Sequence, residues 1–111
     1  MSHPSMIRGA LACSLLGFGL NAAAQTPALF KDADLKLGEK LIAQHKCNQC
    51  HAQKWVDDGK AIYRPKGRVN TPALLQTMVE RCSTQLNLSL FPEEVTAMAA
   101  VLNRDHYRFT Q

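Results

Sequence analysis

Asp34-Leu35-Lys36-Leu37-Gly38-Glu39-Lys40-Leu41-Ile42-Ala43-Gln44-His45-Lys46-Cys47-Asn48-Gln49-Cys50-His51 is the stretch that decides the fold. As far as His45 it reads as an amphipathic helix. Leu37, Leu41 and Ile42 fall on one face at helical spacing, and Leu35 and Gly38 lie close to it. Asp32 or Asp34 can cap the first turn with a side-chain oxygen. Gly38 costs about 1 kcal/mol relative to alanine inside a helix. It is tolerable where a second helix must approach closely. After His45 the pattern changes to two cysteines, two residues apart, with a histidine directly behind them.

Downstream, Gln53 to Asn70 is polar and broken by Asp57-Asp58-Gly59 and Pro65-Lys66-Gly67, which read as turns. Trp55, Ile62 and Tyr63 are its main apolar anchors. A second helix then starts at Thr71, a good N-cap, with Pro72 at its first position. Leu75, Met78, Val79, Cys82 and Leu86 form one stripe along it, and it should end near Asn87. A third helix starts at Pro92, with Glu93 and Glu94 in its first turn, where the helix dipole favours acids. Val95, Met98, Val101 and Leu102 are its buried face, Asn103 to His106 end it, and Tyr107 to Gln111 are placed to cover the core. No segment reads as a strand, so the predicted fold class is all-α with three main helices.

Upstream lies a different kind of segment. Arg8 precedes the short apolar run Ala10 to Leu20, and Ala22, Ala23 and Ala24 follow it. That is the layout of a secretory signal peptide cleaved near Ala24. The run is about half the roughly 20 residues a membrane-spanning helix needs. The expected organisation is a signal peptide over 1–24 and one domain over 25–111, with no membrane anchor after cleavage. Removing 24 of the 111 residues leaves 87, and because Arg8 is the one charged residue lost, the formal balance falls from +4 to +3. A domain of this size usually needs a covalent, metal or cofactor staple. Its mild positive charge suits docking to an acidic face on a partner protein. With few aromatics besides, it excludes nucleic acid.

Of four cysteines, Cys13 falls in the signal peptide, and Cys47, Cys50 and Cys82 remain. Three is an odd number for a secreted disulfide framework. Cys47-Asn48-Gln49-Cys50-His51 has the form C-x-x-C-H, the attachment signal of c-type haem. Two thiols at this spacing can add to the two vinyl groups of haem, and His51 is then the proximal iron ligand. The covalent bonds supply the missing staple. Export agrees, since haem is attached to cysteine outside the bacterial cytoplasm. A Cys47–Cys50 redox disulfide would call for a strand before the motif, and none is present. Zinc held by Cys47, Cys50, Cys82 and a histidine would need adjacent Cys50 and His51 to share one ion.

On the helix Asp34 to His45, the motif at its end and the closing helix from Pro92, the chain resembles the class I c-type cytochromes. The resemblance implies a small fold of three main helices around one haem. It implies that the first and last helices cross at Gly38, with Met98, Ala99 or Leu102 as the contact. It also implies one-electron transfer in the periplasm between redox partner proteins, with no catalysis by the chain itself. The stretch Met78-Val79-Glu80-Arg81-Cys82, with Phe91-Pro92-Glu93-Glu94 after it, is also similar to the small high-spin cytochromes of the sphaeroides haem protein type. Those take a distal Asn from a comparable helix, beside a Cys paired to another before the last helix. Here Arg81 stands at the Asn position and Phe91 at that of the second Cys, so neither ligand nor disulfide carries over. A distal side built by this helix does.

The sixth ligand stays open at this level. No Met lies in a loop before the last helix. Cys82 and Met78, one turn apart on one face, are the leading candidates. His106 and an open site are the others. Thiolate is a strong haem ligand and lowers the reduction potential, whereas a free Cys ordinarily packs as a small hydrophobe. His45 reads as a surface residue and Met98 as packing. Arg64, Lys66 and Arg68, with Tyr63 and Trp55, are candidates to bind haem propionates. An open sixth site would make the chain a gas- or small-ligand-binding high-spin haem protein instead. A haem subunit of a sulfur-oxidising enzyme is a third class, by analogy with Cys-ligated haems.

Overall fold

The computed structural model describes residues 25–111 together with Ser2. Arg8, the apolar run Ala10 to Leu20, Cys13 and the expected cleavage point near Ala24 lie outside the described residues. Those described form four α-helices and no strand. They are α1 (Leu35–Gln44), α2 (Cys47–Lys54), α3 (Pro72–Gln85) and α4 (Pro92–Leu102). Among the described residues no helix is long and apolar enough to cross a membrane.

The all-α expectation holds, and three of the helices start where the capping residues place them. Asp34 Oδ1 accepts from Leu37 N–H at 3.0 Å. Thr71 Oγ1 accepts from Leu74 N–H at 3.1 Å, with Pro72 first in α3. Glu94 reaches back to accept from Phe91 N–H at 2.8 Å, so α4 gains an acceptor for an N–H that the helix itself leaves unpaired. The addition to the expected set is α2, which carries the cysteine motif. It has no apolar periodicity to betray it, because none of its residues is buried.

α1 and α4 make the largest helix–helix interface, and α3 packs on α4 as well. Gly38 sits at the crossing. A Cβ there would fall on the Ala97 carbonyl, 2.6 Å from its carbon and 2.8 Å from Val101 Cγ2. The expected close approach is therefore real, but the α4 residues that make it are Ala97 and Val101 rather than Met98, Ala99 or Leu102. Ala97 and Ala99 are both fully buried, and the small side chain at 97 is what lets the backbones meet. Leu41, Ile42, Leu75, Val79, Val95, Met98 and Val101 join in one core. Phe30, in a short 3-10 turn before α1, is buried in it as well.

After Leu102 the chain widens into a π-helical turn, Asn103–Tyr107, that folds the tail back. Asn103 Nδ2 donates to Phe109 O at 3.1 Å, and its Oδ1 accepts from Phe109 N–H at 2.8 Å. Tyr107 is buried and Phe109 packs beside it on the core, so the tail does cover it. Arg104 bridges Glu39 of α1 and the neighbouring Asp105, each at 2.7 Å. These pairs are solvent-exposed and add little to stability.

Candidate functional site

The apolar stripe of α3 does not close wholly against the core. Leu75 and Val79 are buried, Cys82 is half-buried, and Met78 and Leu86 stay 36% and 56% exposed. All five line one cleft. Across it stand Cys47, Cys50 and His51 of α2. Ile42, Met98 and Leu102 contribute apolar wall from α1 and α4. Two large apolar side chains, Met78 and Leu86, left facing solvent beside three chemically reactive ones mark the cleft as a candidate binding site.

Lys46 makes the corner between α1 and α2. Its φ of 53° turns the chain sharply, so α2 sets off in a new direction two residues after α1 ends. Gly59 holds the other end of the motif. It has φ +82°, and a Cβ on it would lie 2.6 Å from His51 Cβ and 2.7 Å from Ala52 N. Only glycine can lie this close to the α2 backbone. Asp57 and Asp58 before it are also left-handed, at φ 58° and 52°, a conformation that Asp tolerates better than most residues.

His51 is half-buried. Its Nδ1 lies 3.1 Å from the Tyr63 hydroxyl. The rings of Trp55 and Tyr63 flank it edge-on, each with its centroid 5.8 Å away. Burial first, and then the charge of Lys54, hold His51 below the usual histidine range. It is therefore neutral at pH 7, the form that binds metals. Burial pushes the Cys47 thiol up, against a backbone hydrogen bond that lowers it, and nearby Cys50 and Cys82 push it further. Cys82 is likewise raised by burial, against the pull of Arg81. The Tyr63 hydroxyl is pushed up to about 12, mainly by burial.

Cys47, Cys50 and Cys82 are all free thiols. Among the described residues no three His, Cys, Asp or Glu side chains gather as a metal-ion cluster. That leaves the zinc alternative without a ligand set. The Cys47–Cys50 redox pair lacks its setting too, since α2 follows a helix. For haem the donors fit: two unpaired thiols, a neutral imidazole and an apolar wall. The enclosed part of the cleft is about 130 Å³, below the roughly 300 Å³ at which ligand pockets begin. A macrocycle would need more room than this.

Comparison with protein-family models, with curated proteins and with solved structures returns no match for this chain. The chemistry of the cleft has to carry the function.

Of the other candidates, Met78 joins Cys82 on the cleft wall. His106 does not line it; its ring stacks on Tyr63, centroids 4.2 Å apart and 20° from parallel. Met98 is buried at 4% exposure, in keeping with a packing role. Arg64, Lys66 and Arg68 are exposed, and none lines the cleft. Arg64 Nε donates instead to Ala61 O at 3.1 Å. His45, read as a surface residue, does line the cleft. Three features escaped the sequence: the α2 helix, the fit of Gly59 against His51, and the Tyr63 contact with His51. Only Gly59 left a trace, as a glycine after two residues that also tolerate a left-handed turn.

Proposed function

We propose that the chain is a c-type, one-haem electron carrier. Cys47 and Cys50 hold the haem by thioether bonds, His51 is the proximal iron ligand, and Cys82, or Met78 one turn before it, is the distal one. The observation that supports this most is the shared cleft. Both thiols of the C-x-x-C pair, the adjacent histidine and both distal candidates line it, and its remaining wall is apolar. Bound there, haem iron supplies a one-electron redox couple, tuned by its ligands and by burial.

The chain's own residues do the rest. The two thiols fix the group to α2. His51, kept neutral by its half-buried position, offers a ring nitrogen. Ile42, Leu75 and Val79 exclude water from one side, which raises the weight of every charge in the site. The expected setting is the periplasm after cleavage near Ala24, with an acidic-faced redox protein as partner.

The test is a pyridine haemochrome assay after acid–acetone extraction, with intact-protein mass. One haem stays with the wild-type chain and none with the Cys47→Ala/Cys50→Ala double variant. A wild-type chain without covalent haem refutes the proposal. A second reading, a ligand-binding high-spin haem protein, is favoured by one feature: the distal wall is a helix, and Met78 on it is 36% exposed. Carbon monoxide added to the reduced protein separates the two. An unchanged low-spin spectrum supports the carrier.

A further inference from the structure

We infer that Tyr63 is the positioning residue of His51: its hydroxyl oxygen accepts a hydrogen bond from Nδ1–H, fixing the tautomer that leaves Nε2 free for a metal. This rests on the haem reading of the cleft. The two groups come from different elements, 12 residues apart in sequence, and their polar atoms lie 3.1 Å apart. Tyr63 is held from behind. It stacks on His106 at 4.2 Å and meets Tyr107 edge-on at 5.9 Å. Tyr107 is itself only 7% exposed. The α4 tail thus fixes the phenol ring that meets His51. A phenol oxygen has lone pairs free to accept.

A partner on the far nitrogen of a metal-bound histidine raises its basicity and sets its ring orientation. Without the Tyr63 oxygen, a half-buried N–H loses its acceptor and His51 donates less to iron. Ferric iron, which needs that donation more, is then disfavoured, and the potential rises. A tenfold change in the ferric-over-ferrous preference is about 59 mV for a one-electron couple.

The experiment compares the wild-type holoprotein with Tyr63→Phe, which keeps the ring and removes the hydroxyl. The expected result is a higher reduction potential, a several-fold change in preference. An unchanged potential overturns the inference. The His51 Nδ1 proton gives a second readout: slow solvent exchange in the wild-type holoprotein that is lost in Tyr63→Phe supports the inference, and equal exchange in both overturns it. If the haemochrome assay shows no haem, the proposed function has failed. The ¹⁵N shifts of His51, read on the haem-free full chain, then decide whether Tyr63 sets the tautomer: protonated Nδ1 supports this and protonated Nε2 overturns it.

Discussion

Gly38→Ala sets two physical effects against each other. Helix propensity alone predicts that α1 gains about 1 kcal/mol from the change. The crossing with α4 predicts a loss. The new Cβ would stand 2.6 Å from the Ala97 carbonyl carbon, where ordinary contact begins near 3.4 Å. The carbonyl oxygen stands nearer still, so the helices must part by at least about 0.8 Å. The obstacle is backbone, which cannot rotate aside as a side chain could. Parting loosens the contacts of Leu41 and Ile42 with the rest of the core. Overpacking of this kind costs about 1–3 kcal/mol, and collision with a fixed backbone belongs at the upper end. After the propensity gain is subtracted, a net loss of at least about 1 kcal/mol remains. A domain of 87 residues has about 4–13 kcal/mol in hand, so the variant still folds. Its Tm should fall by at least about 4 °C. Thermal and urea unfolding followed by circular dichroism measures this directly. A Tm and urea midpoint equal to or above wild type would refute the close crossing.

Asn103→Ala removes both hydrogen bonds to Phe109 from a side chain that is 6% exposed; a loss of about 1–3 kcal/mol is expected, with faster hydrogen exchange at the Phe109 amide. His106 is held below the usual histidine range, chiefly by burial, with Asp105 opposing and Lys60 adding to the shift. Its contribution is fully present above pH 6.5 and is lost as pH falls below that value, because the unfolded chain binds the proton more readily. His106→Phe keeps an aromatic ring without the titration, so its stability curve should be flatter than wild type on the acid side. For the iron, Cys82→Ala should alter the ferric absorption and magnetic resonance spectra while Met78→Ala leaves them unchanged; the reverse outcome moves the distal role to Met78, and no change in either removes both.

The parts of the fold that could be read in advance are those with a local signature. Asp34, Thr71 and Pro92 mark helix starts because capping and a fixed proline φ are properties of a few adjacent residues. Gly38 stood out because it conflicts with its own helix. α2 carried no such signature. None of its eight residues is fully buried, and burial is what writes periodicity into a sequence. Phe30 and the Asn103–Phe109 clasp were missed for a related reason. Each depends on where the chain returns after a turn, and turns of this kind leave no periodic mark. The chemical half of the site was legible as Cys47-Asn48-Gln49-Cys50-His51. The supporting half, Gly59 and Tyr63, was not, since it exists only once the loop has folded back on α2.

That division bears on what a motif of five residues can do alone. α2 lacks a side-chain cap, follows a left-handed residue and has no fully buried side chain, Cys47 and His51 being half-buried. Isolated helices of this length are marginal in water. It therefore cannot fix its reactive groups by itself. Position comes from outside: Lys46 sets the direction of the helix, Gly59 presses on the His51 backbone, and Tyr63 meets the His51 ring. Tyr63 is held in turn by His106 and Tyr107, and the tail that carries them is clasped by Asn103. The proximal half of the site is thus a property of residues 46–63 and of the last turn of the chain together. A change as distant as Asn103→Ala should consequently reach His51 through Tyr107 and Tyr63, broadening the His51 ring resonances in NMR spectra. Sharp, unshifted His51 signals in that variant would show instead that α2 holds its histidine without the tail.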